Sequence, residues 1–220
     1  MSVPLPDHIA WQPILSLVDG RVLGYEALAR FAGLGPLAVF HALPAEDAVT
    51  LDHTCVAHAL AAPPPTGFLF LNLTPATVER RAWPPVPWSL WDRVVWELPE
   101  AAGWEPEHLP PAVALALDDV GAGHAELTRV LTVPWRFVKA DRSVVHGCAA
   151  DPGRQAVIRQ LVAWARERGG AVIAEGVERA EDAAWLKAAG VAYGQGYLWG
   201  HAQRRPWEGT NALRQALPPR

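Results

Sequence analysis

Sulfur is scarce in this chain, whose 220 residues include two cysteines and one methionine. Cys55 and Cys148 lie far apart, without a CxxC pair or a Cys/His cluster, so we expect neither a disulfide scaffold nor a zinc finger. Two reduced thiols are typical of a cytoplasmic protein, and we expect that location.

Long apolar runs are also missing. No stretch of the sequence approaches the roughly 20 residues that a membrane-spanning helix needs, so we expect no membrane partner. The first ten residues, MSVPLPDHIA, lack the basic region and the apolar run of a secretory signal peptide.

Positive charge is not concentrated anywhere in the sequence. The 19 Lys and Arg residues are mixed with 23 Asp and Glu residues, which gives a formal net charge of −4. Binding to a nucleic-acid backbone requires a basic patch or stripe, so we expect no nucleic-acid polymer as a partner. A small phosphorylated ligand stays compatible with this charge if metal ions offset the repulsion. Neither GxxxxGK[ST] nor GxSxG occurs, which argues against a P-loop NTPase and a serine hydrolase.

Hydrophobic residues, in contrast, make up half of the chain, enough for one large core. No internal repeat, linker or break in composition divides residues 1–220, so we predict a single domain. Two apolar stretches, Ile9 to Leu17 and Arg21 to Ala29, flank Asp19-Gly20. Asp-Gly between apolar runs predicts a β-hairpin at the start of the domain.

Short apolar runs then alternate with helical patterns. The predicted strands are Phe68–Asn72, Val94–Leu98, Val113–Asp118, Phe137–Ala140, Val172–Glu175 and a weaker one near Tyr197-Leu198. The predicted helices run from about Ala45 to Ala61, from Asp151-Pro152 to Gly169-Gly170, and from about Ala180 to Ala189. Eight strands with intervening helices favour an α/β fold, a β/α barrel of parallel character in which the hairpin makes one strand antiparallel. A doubly wound open sheet is the alternative.

Polar side chains stand at or near the ends of most predicted strands. They are Glu26, Asn72, Glu97, Asp118, Asp119, Lys139 and Glu175, and Gln195 precedes the last strand. In a parallel barrel these strand ends meet at one face, where barrel active sites form. Each residue alone is more simply a helix cap or a solvated loop residue, but the whole series argues against that reading.

The carboxylates of this series would repel one another if they stood together without a counterion. Divalent cations remove the conflict, and a set of oxygen ligands suits Mg²⁺ or Mn²⁺. Zn²⁺ is disfavoured because no histidine or cysteine occupies these positions. The order of the residues does not by itself identify a substrate.

Seven ordered segments resemble the motifs of EAL domains. In chain order they are Gln12 to Ile14 with Gly24 to Arg30 (QPI and GYEALAR), Leu71 to Thr74 (LNLT), Glu97 to Glu100 (ELPE), Leu117 to Gly123 (LDDVGAG), Val138 to Arg142 (VKADR), Ala174 to Glu178 (AEGVE) and Gln195 to Leu198 (QGYL). The motifs span about residues 12–200. One such motif would be weak evidence, whereas seven in order are highly specific.

The resemblance implies a modified TIM (β/α)8 barrel that hydrolyses cyclic di-GMP to linear pGpG with two divalent cations, Mg²⁺ or Mn²⁺. It implies the metal ligands Glu26, Asn72, Glu97, Asp118 and Asp119, with Asp118 bridging the two ions. Glu175 would be the general base or a ligand through water, and Lys139 would orient the attacking water and balance charge on the phosphate.

Other roles also follow from the resemblance alone. Arg30, Gln195 and Leu28 would bind the substrate. Glu100, Glu178 and Asp141 would orient the residues of the site without binding an ion themselves. Lys139 could instead be only an ion-pair partner, Arg30 a surface ion pair, and Glu178 the start of the following helix. Family members often pair through helices beside the loop after the paired aspartates, which implies a homodimer by analogy.

The sequence departs from the family pattern close to the expected chemistry. In the loop 120–127, Val120 replaces a phenylalanine and His124-Ala125-Glu126 replaces an aromatic residue and two serines. Ala125 cannot supply the serine hydroxyl that would bond Glu100, so this glutamate loses a partner, and we expect the second metal site to weaken first.

Three further departures concern neighbouring segments. Pro99 replaces a threonine, and His201-Ala202 replace an expected proline after QGYL. The segment from Glu100 to Asp118 is short and contains His-Leu-Pro-Pro, so we expect a reduced barrel helix there.

Three functions are compatible with these residues. An active cyclic di-GMP phosphodiesterase is favoured because every metal-ligand position is retained. A catalytically impaired cyclic di-GMP receptor or protein-interaction module is the alternative, motivated by the altered loop. An unrelated metal-dependent barrel hydrolase would require the motif series to be accidental.

Overall fold

The computed structural model describes residues 3–99, 108–109, 113–121 and 133–209. Glu100 and most of the altered loop, residues 122–127, lie outside the described residues. Most of the segment predicted to hold a reduced helix also lies outside them. The predicted single domain over residues 1–220 stays a prediction.

Eight strands form a closed barrel in which each strand pairs with its neighbours in sequence and β8 pairs with β1. The strands are β1 (His8–Ser16), β2 (Val22–Arg30), β3 (Phe68–Asn72), β4 (Val94–Pro99), β5 (Ala114–Val120), β6 (Phe137–Ala140), β7 (Ala171–Ala174) and β8 (Tyr193–Gly194). β1 runs antiparallel to both β2 and β8, and all other pairs are parallel. The predicted barrel with one antiparallel strand is confirmed, and the open-sheet alternative is wrong.

The hairpin between β1 and β2 forms because Asp19-Gly20 closes a tight turn. Gly20 has a φ of 72°, in the left-handed region that glycine enters without strain. The backbone N–H of Ser16 donates to the carbonyl of Arg21 at 2.8 Å, and the N–H of Arg21 donates to Oδ1 of Asp19 at 3.1 Å. The turn thereby sets the register in which Gln12 lies opposite Glu26.

Two predicted strand boundaries are wrong. The last strand is only Tyr193–Gly194, so Gln195 follows it instead of preceding it, and Tyr197-Leu198 belongs to the turn after it. Glu26 does not end its strand, because β2 continues to Arg30 beside the equally long β1. Both errors arise where the hairpin and the barrel closure, not the local pattern, set the strand length.

The helices of the described residues cover the outside of the barrel. They are α1 (Pro36–His41), α2 (Ala45–Ala61), α3 (Pro75–Glu79), α4 (Arg142–Val145), α5 (Pro152–Glu167) and α6 (Ala180–Ala188), with 3₁₀ turns at Trp88–Arg93, Cys148–Ala150 and Pro206–Gly209. The N-cap predicted for α5 is observed, since Oδ1 of Asp151 accepts from the N–H groups of Gly153 and Arg154. None of the described helices is both long and apolar enough to cross a bilayer.

The barrel interior is layered, and this layering positions the polar side chains. One buried apolar layer consists of Ile14, Phe70, Val95, Ala116, Phe137 and Ile173. Side chains alternate between the two faces of a strand, so the residue two positions further along points inward again. On five strands that residue is polar: Asn72, Glu97, Asp118, Lys139 and Glu175 follow their apolar partners. The upper layer of the barrel is therefore polar.

An aromatic cluster closes the barrel below this polar layer. The ring of Phe137 lies 5.3 Å from that of Phe70, 5.8 Å from that of Phe68 and 6.0 Å from that of Tyr193, measured between centroids. Arg136 places its guanidinium 4.6 Å above the ring of Phe68. The barrel is thus a packed core with one polar mouth, as barrels of this size are.

Candidate active site

The ammonium group of Lys139 is the centre of the polar layer. Its Nζ lies 2.6 Å from Oε1 of Glu97, 2.8 Å from Oε1 of Glu175, 2.9 Å from Oδ1 of Asp118 and 3.6 Å from Oε1 of Glu26. Lys139 is only 1% exposed. Four strands thus bring four carboxylates to one buried cation.

Glu26 is held by amide side chains from both of its sides. The Nδ2 group of Asn72 donates to its Oε1 at 2.9 Å, and the Nε2 group of Gln195 donates to its Oε2 at 2.5 Å. The same Nε2 lies 3.1 Å from Oε1 of Gln12, whose own amide donates to the carbonyl of Gly200 at 3.3 Å. This chain of hydrogen bonds fixes the rotamer of Glu26 across the hairpin and the barrel closure.

One ammonium cannot neutralise four carboxylates, and the pKa values reflect this imbalance. Burial lowers the pKa of Lys139, but the surrounding carboxylates outweigh burial and raise it well above its ordinary value. Burial raises the pKa of Glu26, yet Lys139 and the amide hydrogen bonds outweigh that effect and leave it lowered. Lys139 is therefore charged, and Glu26 is its ionised partner.

The remaining carboxyl groups are pushed toward protonation. Burial raises the pKa of Glu97 well above its ordinary value, and Lys139 offsets this only partly. Burial and the charge of Asp118 raise the pKa of Glu175 to about 8, against the attraction of Lys139. Burial and Asp118 likewise raise the pKa of Asp119 to about 6. The cluster carries more negative charge than the described side chains can balance.

Asp118 and Asp119 reach the same space because β5 is distorted. Adjacent side chains of a regular strand point to opposite faces. Here the register between β5 and β6 shifts between Leu117 and Val120, and Asp119 has a φ of 58°. As a result, one oxygen each of Asp118, Asp119 and Glu175 lie within 4.8 Å of one another.

The donor set fits divalent cations that prefer oxygen ligands. Among the described residues, no donor is found for the buried oxygen Oε2 of Glu97, whereas Oδ1 of Asp118 lies 2.9 Å from Nζ of Lys139. A buried carboxylate oxygen without a donor is costly, and a cation removes this cost. Glu26, Asn72, Glu97 and Asp118 could hold one ion, and Asp118, Asp119 and Glu175 a second.

Two cavities open beside the cluster and share Glu26 and Leu28 in their walls. The larger, about 620 Å³, also includes Asn72 and Asp119 in its lining. The smaller, about 260 Å³, includes Glu175 and Gln195. A ligand that bridges both cavities would therefore lie across the carboxylates.

The remaining predicted site residues lie further out. Arg30 lies at the end of β2 opposite His8, its guanidinium donates to the carbonyl of Ala29 at 3.1 Å, and it lines neither cavity. Asp141 lines the smaller cavity and caps α4 through the N–H of Ser143.

Glu178 also lies outside the carboxylate cluster. Its Oε1 accepts from both Nε and Nη2 of Arg142, at 3.2 and 3.1 Å. This pair joins the segment after β7 to the start of α4, and both residues line the smaller cavity.

Two structural supports were missed from the sequence. Gln12 belongs to the QPI motif, and its position opposite Glu26 follows from the hairpin register. Asp52 of α2 accepts hydrogen bonds from the N–H and hydroxyl of Thr74, at 2.8 and 2.7 Å, and from the hydroxyl of Thr77 at 2.5 Å. It thereby anchors the segment after Asn72. Only its place on the buried face of α2 could have indicated this.

Comparison with known proteins identifies relatives of this barrel. Residues 112–202 match the family model described as EAL domain. The cyclic di-GMP phosphodiesterase RocR of Pseudomonas aeruginosa is 39% identical over 85 residues, which are 39% of this chain and 22% of RocR. The chain therefore matches less than a quarter of that relative's length.

Two solved structures cover most of the chain. BlrP1 of Klebsiella pneumoniae, in a complex with calcium and cyclic di-GMP, superposes with a TM-score of 0.77 at 26% identity, over 89% of this chain and 55% of that one. A standalone EAL protein of Vibrio cholerae in its cyclic di-GMP-bound form gives 0.75 at 25% identity, over 89% and 92%. The family model, the curated relative and these structures thus confirm the predicted resemblance to EAL domains.

Proposed function

We propose that the chain is a metal-dependent phosphodiesterase that hydrolyses cyclic di-GMP to linear pGpG by two-metal activation of water. The observation that carries this proposal is the convergence of Glu26, Glu97, Asp118 and Glu175 on Lys139 at the mouth of the barrel. The names of the relatives support the substrate, since RocR is a cyclic di-GMP phosphodiesterase and BlrP1 binds cyclic di-GMP.

The metal ligands in this proposal are Glu26, Asn72, Glu97 and Asp118 for one ion, and Asp118 with Asp119 for the other. Mg²⁺ and Mn²⁺ suit these oxygen donors. When bound, two such ions offset the carboxylate charge, polarise the phosphodiester and lower the pKa of the attacking water.

The side chains of the cluster supply positioning and proton transfer. Glu175, whose Oε1 lies 2.8 Å from Nζ of Lys139, would accept the proton of the attacking water as general base. The ammonium of Lys139 stays charged, so it can orient the water and counter the negative charge that develops on the phosphate oxygens. The buried rings of Phe70 and Phe137 beneath it reduce the screening of these charges.

Other residues hold the substrate and the ligands. Leu28 and Gln195 line the cavities beside the carboxylates and would contact the dinucleotide. Arg30 would reach it after its guanidinium leaves the carbonyl of Ala29. Asp141 and Glu178 would support the site indirectly, through the cap of α4 and the pair with Arg142.

A receptor without turnover is the second candidate, because the sequence removes a serine hydroxyl at Ala125 in the altered loop. Asp119 lies just before this loop and has a strained backbone, so a poorly held loop would weaken the second ion first. Such a protein would bind cyclic di-GMP and release no pGpG.

Turnover decides between these candidates. We would incubate the purified chain with cyclic di-GMP and Mg²⁺ or Mn²⁺, and quantify pGpG by chromatography. Glu26→Ala and Glu175→Gln should each lower the rate at least about 100-fold, whereas Glu167→Gln on the exposed face of α5 should not. Full activity in both site variants would refute the proposed site.

A receptor without turnover would give a different combination of results for turnover and binding. Absence of pGpG, together with binding of cyclic di-GMP in Ca²⁺, would favour the receptor. Failure to bind under any of these metal conditions would leave an interaction role or an unrelated hydrolase.

We also propose a homodimer in the cytoplasm, by analogy with family members that pair beside the loop after the paired aspartates. Light scattering coupled to size exclusion would test the dimer directly. A monomer at all concentrations would refute it without affecting the proposed chemistry.

A further inference from the structure

The larger cavity extends behind the barrel wall, between the hairpin and α2. Successive side chains of a strand point to opposite faces, so Ala27 and Ala29 of β2 point outward if Glu26 points into the barrel. Both alanines line the cavity. Facing them from α2 are Cys55, Val56 and Ala59. These residues form what we call the α2 slot.

The slot exists because small side chains meet across it. Ala27, Ala29 and Ala59 end at Cβ, and Cys55 adds only a thiol. Phe40 of α1 adds an aromatic ring to the same lining. Small-molecule sites are typically cavities of several hundred Å³ with mainly apolar walls and a few polar groups. The cavity, with about 620 Å³, has the size and the walls of such a site.

One buried charged side chain stands in this apolar lining. Asp52 is only 2% exposed and lines the cavity. The three hydrogen bonds that it accepts from Thr74 and Thr77 all go to Oδ2. Among the described residues, none donates a hydrogen bond to Oδ1. Because buried polar atoms are normally paired, Oδ1 is the place where a ligand would donate.

The charges of the lining favour one kind of head group. Glu26 and Asp119 are its other acidic residues, and His41 is the only basic side chain among the described residues that line it. An anionic head group would be repelled by these carboxylates, whereas a cationic one would be attracted. The cavity therefore suits an apolar molecule with a positively charged end.

We propose that the α2 slot binds a small amphiphile that carries an apolar chain and a primary ammonium group. The chain lies between β2 and α2, and the ammonium donates to Oδ1 of Asp52 in a charge-assisted hydrogen bond. This site is separate from the carboxylate cluster, because the slot lies on the outer face of β2. It also does not depend on hydrolysis of cyclic di-GMP.

The test is the affinity of the full chain for decylamine, measured by calorimetry in chelator below the micelle concentration. Decylamine should bind, and decanoate, which has the same chain length, should bind at least about 10-fold more weakly because it lacks a donor for Asp52. Asp52→Asn should weaken decylamine binding roughly 10- to 100-fold, as the loss of a charge-assisted hydrogen bond does.

Variants that fill the slot test the position of the chain independently of Asp52. Ala29→Leu and Cys55→Leu should each weaken decylamine binding roughly 10-fold or more, because the added carbon atoms occupy its space. Ala57→Leu, on the exposed face of α2, is the matched control and should bind decylamine normally. Thermal unfolding of each variant would verify that it folds.

The outcomes separate this site from the proposed function. Equal decylamine affinity in the unmodified chain and the filled variants would refute the slot. Unchanged affinity of Asp52→Asn, together with displacement of decylamine by Mn²⁺, would place the amine at the carboxylate cluster and also refute it. Tighter binding of decanoate would refute the head group. A chain that binds decylamine as expected but releases no pGpG retains the slot and loses the proposed hydrolysis.

Discussion

The ammonium of Lys139 lies 2.6 Å from Oε1 of Glu97, and both side chains are sealed from solvent. Neither group could stay charged at that depth alone, since burial raises the pKa of Glu97 and opposes the charge on Lys139. The pair is therefore stable only while the other carboxylates and any bound cations balance its charges.

Removing the ammonium tests this dependence. In chelator, Lys139→Met should lower the free energy of unfolding by about 3 kcal/mol, because buried carboxylates lose their counter-charge. Mg²⁺ should recover part of that loss, since it neutralises the same oxygens. Urea unfolding with and without Mg²⁺ measures both effects. Lys187→Met, on the exposed face of α6, should change stability by less than about 0.5 kcal/mol, and an equal loss in both variants would contradict the explanation.

Stability without divalent ions should fall as the pH rises from 5 to 9. Asp119 and Glu175 have pKa values raised to about 6 and about 8, so the folded state binds protons more tightly than the unfolded chain. Their stabilising contribution is complete below their ordinary pKa values and is lost as the pH passes through 6 and then 8. The lowered pKa of Glu26 affects the stability only at pH values below this range. The raised pKa of Lys139 affects it only at pH values above this range.

Urea unfolding in chelator at several pH values would measure this slope. Glu175→Gln should flatten the slope between about pH 5 and 8, because it removes a carboxyl group whose pKa is raised to about 8 in the folded state. Adding Mn²⁺ should also flatten the slope, since ion binding replaces the protons. A stability that increases from pH 5 to 9 in chelator would contradict the charge balance described for the cluster.

The hydrogen bonds that Asp52 accepts from the segment after Asn72 should stabilise the folded state. Asp52→Ala leaves the hydroxyl and N–H of Thr74 and the buried hydroxyl of Thr77 without their acceptor. We expect a loss of about 3 kcal/mol, at the upper end for unpaired buried groups. Asp52→Asn keeps one acceptor oxygen and should lose less. Thermal and urea unfolding measure the difference, and equal stability of both variants and the unmodified chain would contradict the anchoring role.

Gln12 should influence ion binding through the hydrogen bonds of its side chain to other amide groups. Its Oε1 lies 3.1 Å from the amide nitrogen of Gln195, which in turn holds Glu26. Gln12→Ala should weaken the apparent affinity for Mn²⁺ by about 10-fold, as the loss of an outer support of a metal site does. Calorimetry in the absence of substrate measures this. Gln155→Ala, whose amide bonds carbonyls of a distant 3₁₀ turn, is the matched control and should bind Mn²⁺ normally.

Much of the polar layer could be predicted because each strand carries its own evidence. Asn72, Glu97 and Glu175 follow short apolar runs, and parallel strands bring such positions to one rim. The same alternation extends to Tyr193 and Gln195, but a two-residue strand is too short to be recognised from sequence. Its existence depends on pairing with β1 and β7, which are remote in the chain.

Other features could not be predicted because they depend on tertiary context. The left-handed backbone of Asp119 accompanies a register shift between β5 and β6, which no local sequence pattern predicts. The direction of the Arg30 guanidinium is set by a neighbouring carbonyl. The stacking of His201 on Tyr197 requires the turn at Gly196, and the sequence alone indicated only that a proline was missing there.

The reversed direction of β1 has a consequence for how this barrel can be connected to other polypeptide. Because β1 runs against its neighbours, its first residue, His8, pairs with Arg30 on the rim that carries the carboxylates. A domain fused ahead of His8 would consequently emerge next to the rim of the candidate active site, within reach of it over a short tether. The topology thus offers an upstream module direct steric access to the carboxylate cluster, without any signal relayed through the core.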